Sequence, residues 1–355
     1  MKLAIWSDCH IGRRQYRTDE NNINKYEQEG YRVANEYADV MIKENPDLII
    51  CAGDVFDTPN PSVLAMNKYA KVQMKFDRAG IPTMDILGNH DFSFPNRRSK
   101  CSAAAMASHT YFADYDIKTV EINDILFVMM PYIYDTDENI TNYMKQCEEI
   151  ASNSTLSKKV LVTHGITEKY HRDNPLIGDK LMLSDDLVEL FNLVIIGHIH
   201  TPFAYKQKNT LVLSPGGMID YQSYKENTGP CFIDTDDWQL TKIRVKTPHI
   251  IKVDCNEENI NEVLKNVTYN IYHITYKGDT SKIDNDLFIE AKNNTINLVI
   301  DPIPDEVIED KKDKKTALDI ISWVAQNYPE YLDLFNKAKE ATMWRENNKN
   351  SSTIV

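Results

Sequence analysis

The chain has no excess of positive charge: 40 Lys and Arg stand against 53 Asp and Glu, a formal charge of −13. That excludes a protein holding nucleic acid by general basicity, since such binding rests on neutralising phosphates with Lys and Arg. A phosphate substrate would need local positive charge. Paired cysteines are also lacking. The six present (Cys9, Cys51, Cys101, Cys147, Cys231, Cys255) form no CxxC, and 355 residues can bury a core without disulfide staples. A reduced, cytoplasmic compartment is the expectation. No apolar run approaches the roughly 20 residues of a membrane span, and MKLAIWSD meets charge too soon for a secretory segment. No GxxxxGK followed by Ser or Thr occurs, so any ATPase is another polypeptide.

What is present is one pattern used five times. An apolar run of strand length ends in Gly or a tight turn, and then come Asp, His or Asn: Ala4 to Gly12 (AIWSDCHIG), Leu48 to Asp57 (LIICAGDVFD), Leu87 to Phe92 (LGNHDF), Val160 to Gly165 (VLVTHG) and Leu193 to His200 (LVIIGHIH). Burying polar groups without partners costs several kcal/mol each. Such clusters are therefore expected to hold something.

Organisation follows the same runs. Lys2 to Ser7 reads as a strand, a helix with its apolar stripe at Val33, Ala34, Tyr37, Ala38, Val40 and Met41 follows, and Asp47 to Ala52 is the next strand. Asn60 and Pro61 predict a helix start, Gly80 its stop, and Pro82 to Leu87 a third strand. Further strands are expected at Ile125 to Met130, Lys159 to Thr163 and Leu193 to Ile196, with helices at Asp137 to Ala151 and Ser184 to Phe191. After His200, short alternating runs (Phe203 to Tyr205, Thr210 to Leu213, Cys231 to Asp234, Leu240 to Val245) suggest an antiparallel sheet. The expected domains are 1–247, a small α+β module at 248–300, a charged linker at 301–315, a helical hairpin at 316–345 and a disordered tail at 346–355.

Collected, the five endings supply Asp8, His10, Asp54, Asn89, His90, Asp91, His164, His198 and His200. Imidazole, carboxylate and amide oxygen without thiolate suit divalent manganese, iron or zinc, with ligands enough for two ions. Asp54, the acid of the central GD turn, is the candidate bridge. Two ions roughly 3.5–4 Å apart can clamp both oxygens of an in-line displacement at phosphorus, so phosphate-ester hydrolysis is the natural reaction.

D-x-H at Asp8 and His10, GDVFD at Gly53 to Asp57, GNHD at Gly88 to Asp91, TH at Thr163 and His164, and GHIH at Gly197 to His200 resemble the ordered signature of the calcineurin-like metallophosphoesterases. The resemblance is nearest to SbcD-type DNA repair and recombination nuclease subunits, phage counterparts included. GDVFD lacks the arginine that phosphatases usually place after it, and GNHD stands where protein phosphatases have GNHE. The fold implied is α/β: a β-sandwich flanked by helices, plus a small α+β DNA-capping domain and a C-terminal helical hairpin. One metal is implied on Asp8, His10, Asp54 and His200, the other on Asp54, Asn89, His164 and His198. Manganese is foremost, with magnesium, iron or zinc as alternatives. His90 is implied as general acid, held by Asp91, with Asp57 orienting a ligand behind the metals.

The activity implied is DNA exonuclease and endonuclease hydrolysis beside a separate SbcC-like ATPase, the nuclease domain being a homodimer. Arg13, Arg14, Arg17, Arg97, Arg98 and Lys100 could guide DNA or form a solvated face. Leu318, Ile321, Val324, Leu332 and Phe335 in the terminal helices could grip the ATPase coiled coil or pack as a satellite on the body. Two rival readings remain: a small phosphoester substrate such as a cyclic nucleotide, and a non-enzymatic scaffold.

Overall fold

The computed structural model describes residues 1–16, 18, 24–91, 110–133, 136–219 and 228–303. Met1–Asp301 form one compact unit; of the second, Pro302–Val355, only the first two residues are described. Arg17, Arg97, Arg98 and Lys100 lie outside the described residues, as do the expected helical hairpin with Leu318, Ile321, Val324, Leu332 and Phe335, and the tail.

The chain begins with β1 (Lys2–Trp6), α1 (Lys25–Lys43), β2 (Leu48–Cys51), α2 (Val63–Ala79), β3 (Thr83–Ile86), β4 (Tyr111–Ala113), β5 (Lys118–Ile122) and β6 (Ile125–Met130). It continues through α3 (Asp137–Asn153), β7 (Lys158–His164), β8 (Ile166–Thr167), α4 (Glu168–Asp173), β9 (Met182–Leu183), α5 (Asp185–Val188) and β10 (Leu193–Gly197). Two hairpins follow, β11 (Phe203–Gln207) with β12 (Thr210–Ser214) and β13 (Cys231–Asp234) with β14 (Gln239–Lys242).

Two six-stranded sheets result, ordered β14-β13-β1-β2-β3-β4 and β11-β12-β10-β7-β6-β5. In the first, β1, β2, β3 and β4 run parallel; in the second, β6, β7, β10 and β12 do. Their runs are largely apolar, with Asp85 in β3 an exception, because both faces are covered. Leu3, Ile5, Leu48, Ile50 and Ile86 meet Phe127, Val160, Val162, Leu193 and Ile195 between the sheets. The alternate residues Ala4, Trp6, Ile49 and Cys51 pack on Val33, Tyr37, Met41, Tyr69 and Phe76 of α1 and α2. On the far side, Val128, Leu161, Val194 and Ile196 cover Ile140, Cys147, Leu187 and Val188 of α3 and α5. Four layers, α/β/β/α, enclose three bodies of core.

Two expectations are corrected. The strands after His200 form antiparallel hairpins but not one sheet, since β11 and β12 extend the second sheet beside β10 whereas β13 and β14 extend the first beside β1. The second helix is capped by Ser62, whose hydroxyl accepts from Ala65 N–H, so Asn60 and Pro61 precede it. Gly80 ends it as expected, in the left-handed region at φ 69°.

The module beyond 248 comprises β15 (Ile250–Asn256), α6 (Ile260–Lys265), β16 (Ile271–Lys277), α7 (Asn285–Asn294) and β17 (Asn297–Ile303), with a three-stranded sheet in the order β15-β16-β17. Its last strand runs three residues past the expected end at Ile300. Lys25 Nζ binds carbonyls of Asn293 (2.8 Å) and Thr295 (2.9 Å), tying it to α1. No helix among the described residues is long and apolar enough to cross a membrane.

Candidate metal centre

Each of the five polar endings leaves the carboxyl end of a parallel strand: Asp8 and His10 follow β1, Asp54 follows β2, Asn89, His90 and Asp91 form a 3-10 turn after β3, His164 ends β7, and His198 and His200 follow β10. Three of these strands belong to one sheet and two to the other, so the site spans the sandwich. Main-chain bonds join the loops. Asp8 N–H donates to Gly53 (3.0 Å), His10 N–H to Asp54 (3.1 Å) and Ile11 N–H to Val55 (2.8 Å). Across the sandwich, His198 N–H donates to Asp8 Oδ1 at 2.9 Å.

That lacing holds strained backbone in place. Asp8 (φ 50°), His10 (44°), Asp54 (53°) and His198 (91°) are all left-handed, at a cost on the order of 1 kcal/mol or more each. Glycines make the room. A Cβ on Gly53 would lie 2.5 Å from His164 Nδ1, and one on Gly88 would run into the Asp54 carboxylate.

The side chains converge in two groups. His10 Nε2 and His200 Nε2 face each other at 3.0 Å, with Asp54 Oδ2 at 3.7 Å from the first and Asp8 Oδ1 at 3.7 Å from the second. Asn89 Oδ1 lies 3.0 Å from His164 Nε2 and 2.9 Å from His198 Nδ1. Asp54 Oδ2 is also 3.4 Å from His164 Nε2, and so belongs to both groups. The opposite nitrogens face outward: His10 Nδ1 to Asp57 Oδ1 (3.3 Å), His164 Nδ1 to the Ala52 carbonyl (2.8 Å) and His198 Nε2 to Asp179 Oδ2 (3.2 Å). A neutral imidazole with its proton outward presents a lone pair inward. Inward-facing imidazole nitrogens, carboxylates and an amide oxygen are a donor set that fits two divalent ions.

Electrostatics agree with that fit. Burial by itself would lower the His164 pKa, but the Asp54 carboxylate overrides it and raises it to about 9. Burial likewise opposes ionisation of Asp54, yet His164 beside it holds the carboxyl well below the usual range. His10 is raised against its burial by Asp57 and Asp54, while burial lowers His200 to about 4. Without a cation, protons compensate the buried carboxylates; an ion would have to displace them.

All seven expected ligands come together. His90 stands at the rim, its ring edge-on to His10 at 4.7 Å, and its Nδ1 is 2.9 Å from the Asp57 main-chain carbonyl. The expectation that Asp91 holds that ring is not met by its contacts: its carboxylate accepts N–H groups from Asp54 (3.0 Å), Gly88 (2.9 Å) and Phe56 (3.4 Å). It ties the second and third loops together. Burial and the Asp54 charge push its carboxyl up to about 7. Asp57 stands behind His10 and meets Arg13 Nη1 at 3.5 Å, which places Arg13 beside the centre. Arg14 pairs with Glu27 at 3.1 Å.

Sequence reasoning missed Asp179 and Tyr132. Tyr132 stacks on the His198 ring, with centroids 6.3 Å apart and planes at 26°. IGDK around Asp179 carries only the signal of an ordinary turn, and PYIY around Tyr132 only that of a strand end.

A family model described as calcineurin-like phosphoesterase matches residues 1–214. The chain is 27% identical over 231 residues to DNA double-strand break repair protein Mre11 of Saccharolobus solfataricus, covering 63% of this chain and 55% of that protein. It thus spans little more than half the length of that relative. To the SbcD component of the SbcCD nuclease of Staphylococcus epidermidis it is 25% identical over 268 residues, covering 68% of this chain and 67% of that one. Among solved structures, a dimetal phosphatase from Danio rerio is 12% identical with a TM-score of 0.43, covering 65% of this chain and 91% of that one.

Proposed function

Because this chain belongs to the calcineurin-like phosphoesterase family, we propose that it hydrolyses DNA phosphodiester bonds with two divalent ions, as the nuclease component of an SbcCD-like complex. The observation that carries the reading is the position of Asp54 Oδ2 between two converging donor groups. The names of the relatives, a double-strand break repair protein and a nuclease component, support DNA as substrate.

Asp8, His10, Asp54 and His200 would hold one ion, and Asp54, Asn89, His164 and His198 the other; the donor set suits manganese, iron or zinc, and the resemblance to SbcD-type nucleases favours manganese. When bound, the pair supplies Lewis acidity at the phosphoryl oxygens. The chain's own residues do the rest. His90, hung from the Asp57 carbonyl through Nδ1, presents Nε2 as the atom that gives a proton to the leaving ribose oxygen. Asp91 keeps the turn that carries it against Asp54. Arg13, 3.5 Å from Asp57, would meet a phosphate of the backbone. The homodimer would use α2, whose Val63, Leu64 and Met74 are exposed large apolar residues. The module at 248–300 would cap the DNA, and the helices at 316–345 would bind the ATPase coiled coil.

The test is a cleavage assay on linear duplex DNA with manganese or chelator, beside a chromogenic diester and a measurement of bound metal. Metal-dependent DNA cleavage is the expected result. Hydrolysis of the small diester alone would favour a cyclic-nucleotide type of substrate. A protein that takes up no metal would be a scaffold.

A further inference from the structure

Asp179 lies in the loop between α4 and β9, and its carboxylate is divided between two tasks. Oδ1 accepts the Leu181 N–H at 2.7 Å, while Oδ2 stands 3.2 Å from His198 Nε2 and accepts the Tyr132 hydroxyl at 3.5 Å. The loop itself is pinned: His171 Nδ1 binds the Ile177 carbonyl at 2.6 Å, and Ile177 N–H donates to Asn174 at 2.9 Å. His198 needs such a hold. Its backbone is left-handed and its side chain stands at the rim, 22% exposed, whereas His164 is fully buried against a main-chain carbonyl.

We propose that Asp179 is a positioning residue that keeps a proton on Nε2 of His198, with Tyr132 stacked on the ring, so that Nδ1 is the nitrogen offered, beside Asn89 Oδ1, to the second ion position. A carboxylate only accepts, so the proton of the neutral ring goes to Nε2 and Nδ1 is left as an acceptor. The opposite tautomer would set two lone pairs against each other at Asp179 and aim a proton at the place an ion would occupy. This inference rests on the two-ion reading for the inward lone pair, since without an ion Nδ1 stands 2.9 Å from an oxygen that only accepts, Asn89 Oδ1; the proton it assigns to Nε2 belongs to the metal-free protein as well.

Asp179→Asn separates the tasks. An amide has one oxygen, and if that oxygen keeps the Leu181 N–H, the amino group faces His198 Nε2 and favours the proton on Nδ1. Long-range proton–nitrogen spectra of the metal-free wild type should show a proton on His198 Nε2, and those of Asp179→Asn should show Nε2 without it and the proton on Nδ1. In manganese titration calorimetry the variant should lose about 10–100-fold in affinity at one site and little at the other. Asp179→Glu, which can still accept from Nε2, should recover part of the loss.

A wild-type ring with no proton on Nε2 overturns the proposal, and so do two sites of wild-type affinity in Asp179→Asn. Should Asp179→Asn fail to fold, the wild-type spectrum decides by itself. A wild type that binds fewer than two ions overturns the two-ion reading instead, while the spectrum still tests the hold of Asp179 on His198.

Discussion

The His90 imidazole is tethered to the main chain of Asp57, with Nδ1 2.9 Å from the carbonyl oxygen. The side chain of Asp57 points elsewhere, to His10 Nδ1 at 3.3 Å and Arg13 at 3.5 Å. One residue therefore orients both the proposed acid and a proposed ligand, through different atoms.

His90→Ala should leave manganese binding nearly intact and slow DNA cleavage by about 10²–10⁴-fold, the range expected for loss of a general acid. Single-turnover cleavage beside calorimetry checks this. A wild-type rate would remove His90 from the mechanism.

Asp57→Ala spares the carbonyl that holds His90 but removes the carboxylate that faces His10 Nδ1. Affinity for one manganese should fall by about 10–100-fold, as for other carboxylate–histidine–metal arrangements. The other site should change little. Equal weakening of both would show that Asp57 acts on the whole loop rather than on His10.

Glycines 88 and 80 make a matched pair. A Cβ on Gly88 would overlap the Asp54 carboxylate and lie 2.7 Å from His164 Cε1, whereas one on Gly80, at φ 69°, would meet nothing within 4 Å. Gly88→Ala should abolish binding of at least one ion and cost about 1–3 kcal/mol from overpacking. Gly80→Ala should cost about 1 kcal/mol from backbone strain and spare metal binding. Urea unfolding and bound-metal analysis of both variants make the comparison.

Stability of the metal-free protein should fall with rising pH. His164 has a folded pKa of about 9 against an ordinary value of 6.5, because the Asp54 carboxylate outweighs the effect of burial. The folded state holds the proton more tightly, so this contribution is complete below pH 6.5 and is lost as pH rises through about 9. At most it amounts to ~3 kcal/mol. Urea titrations in chelator at several pH values in that window should show the decline, and His164→Gln should flatten it. An unchanged slope in the variant would assign the titration to another group.

The proposed ligand residues were legible because each lies within a few positions of an apolar run of strand length, and a polar cluster at a buried strand's end has few other uses. Leu3 and Ile5 alternating with Ala4 and Trp6 already imply a strand covered on both faces. What stayed hidden is of another kind. Nothing local says that β11 joins the sheet of His164 while β13 joins the sheet of Asp8, because pairing between distant strands is settled by which edges remain open once the sandwich forms. Nor does anything near Asp91 reveal that its carboxylate serves three main-chain N–H groups rather than the ring beside it. The sequence by itself determined which polar side chains stand at strand ends and which runs are buried, since both follow from local composition and period. Only the tertiary structure decided which nitrogen of each imidazole faces inward and which distant group, such as Asp179 for His198, holds it there, because those contacts arise when loops from two sheets close on one another.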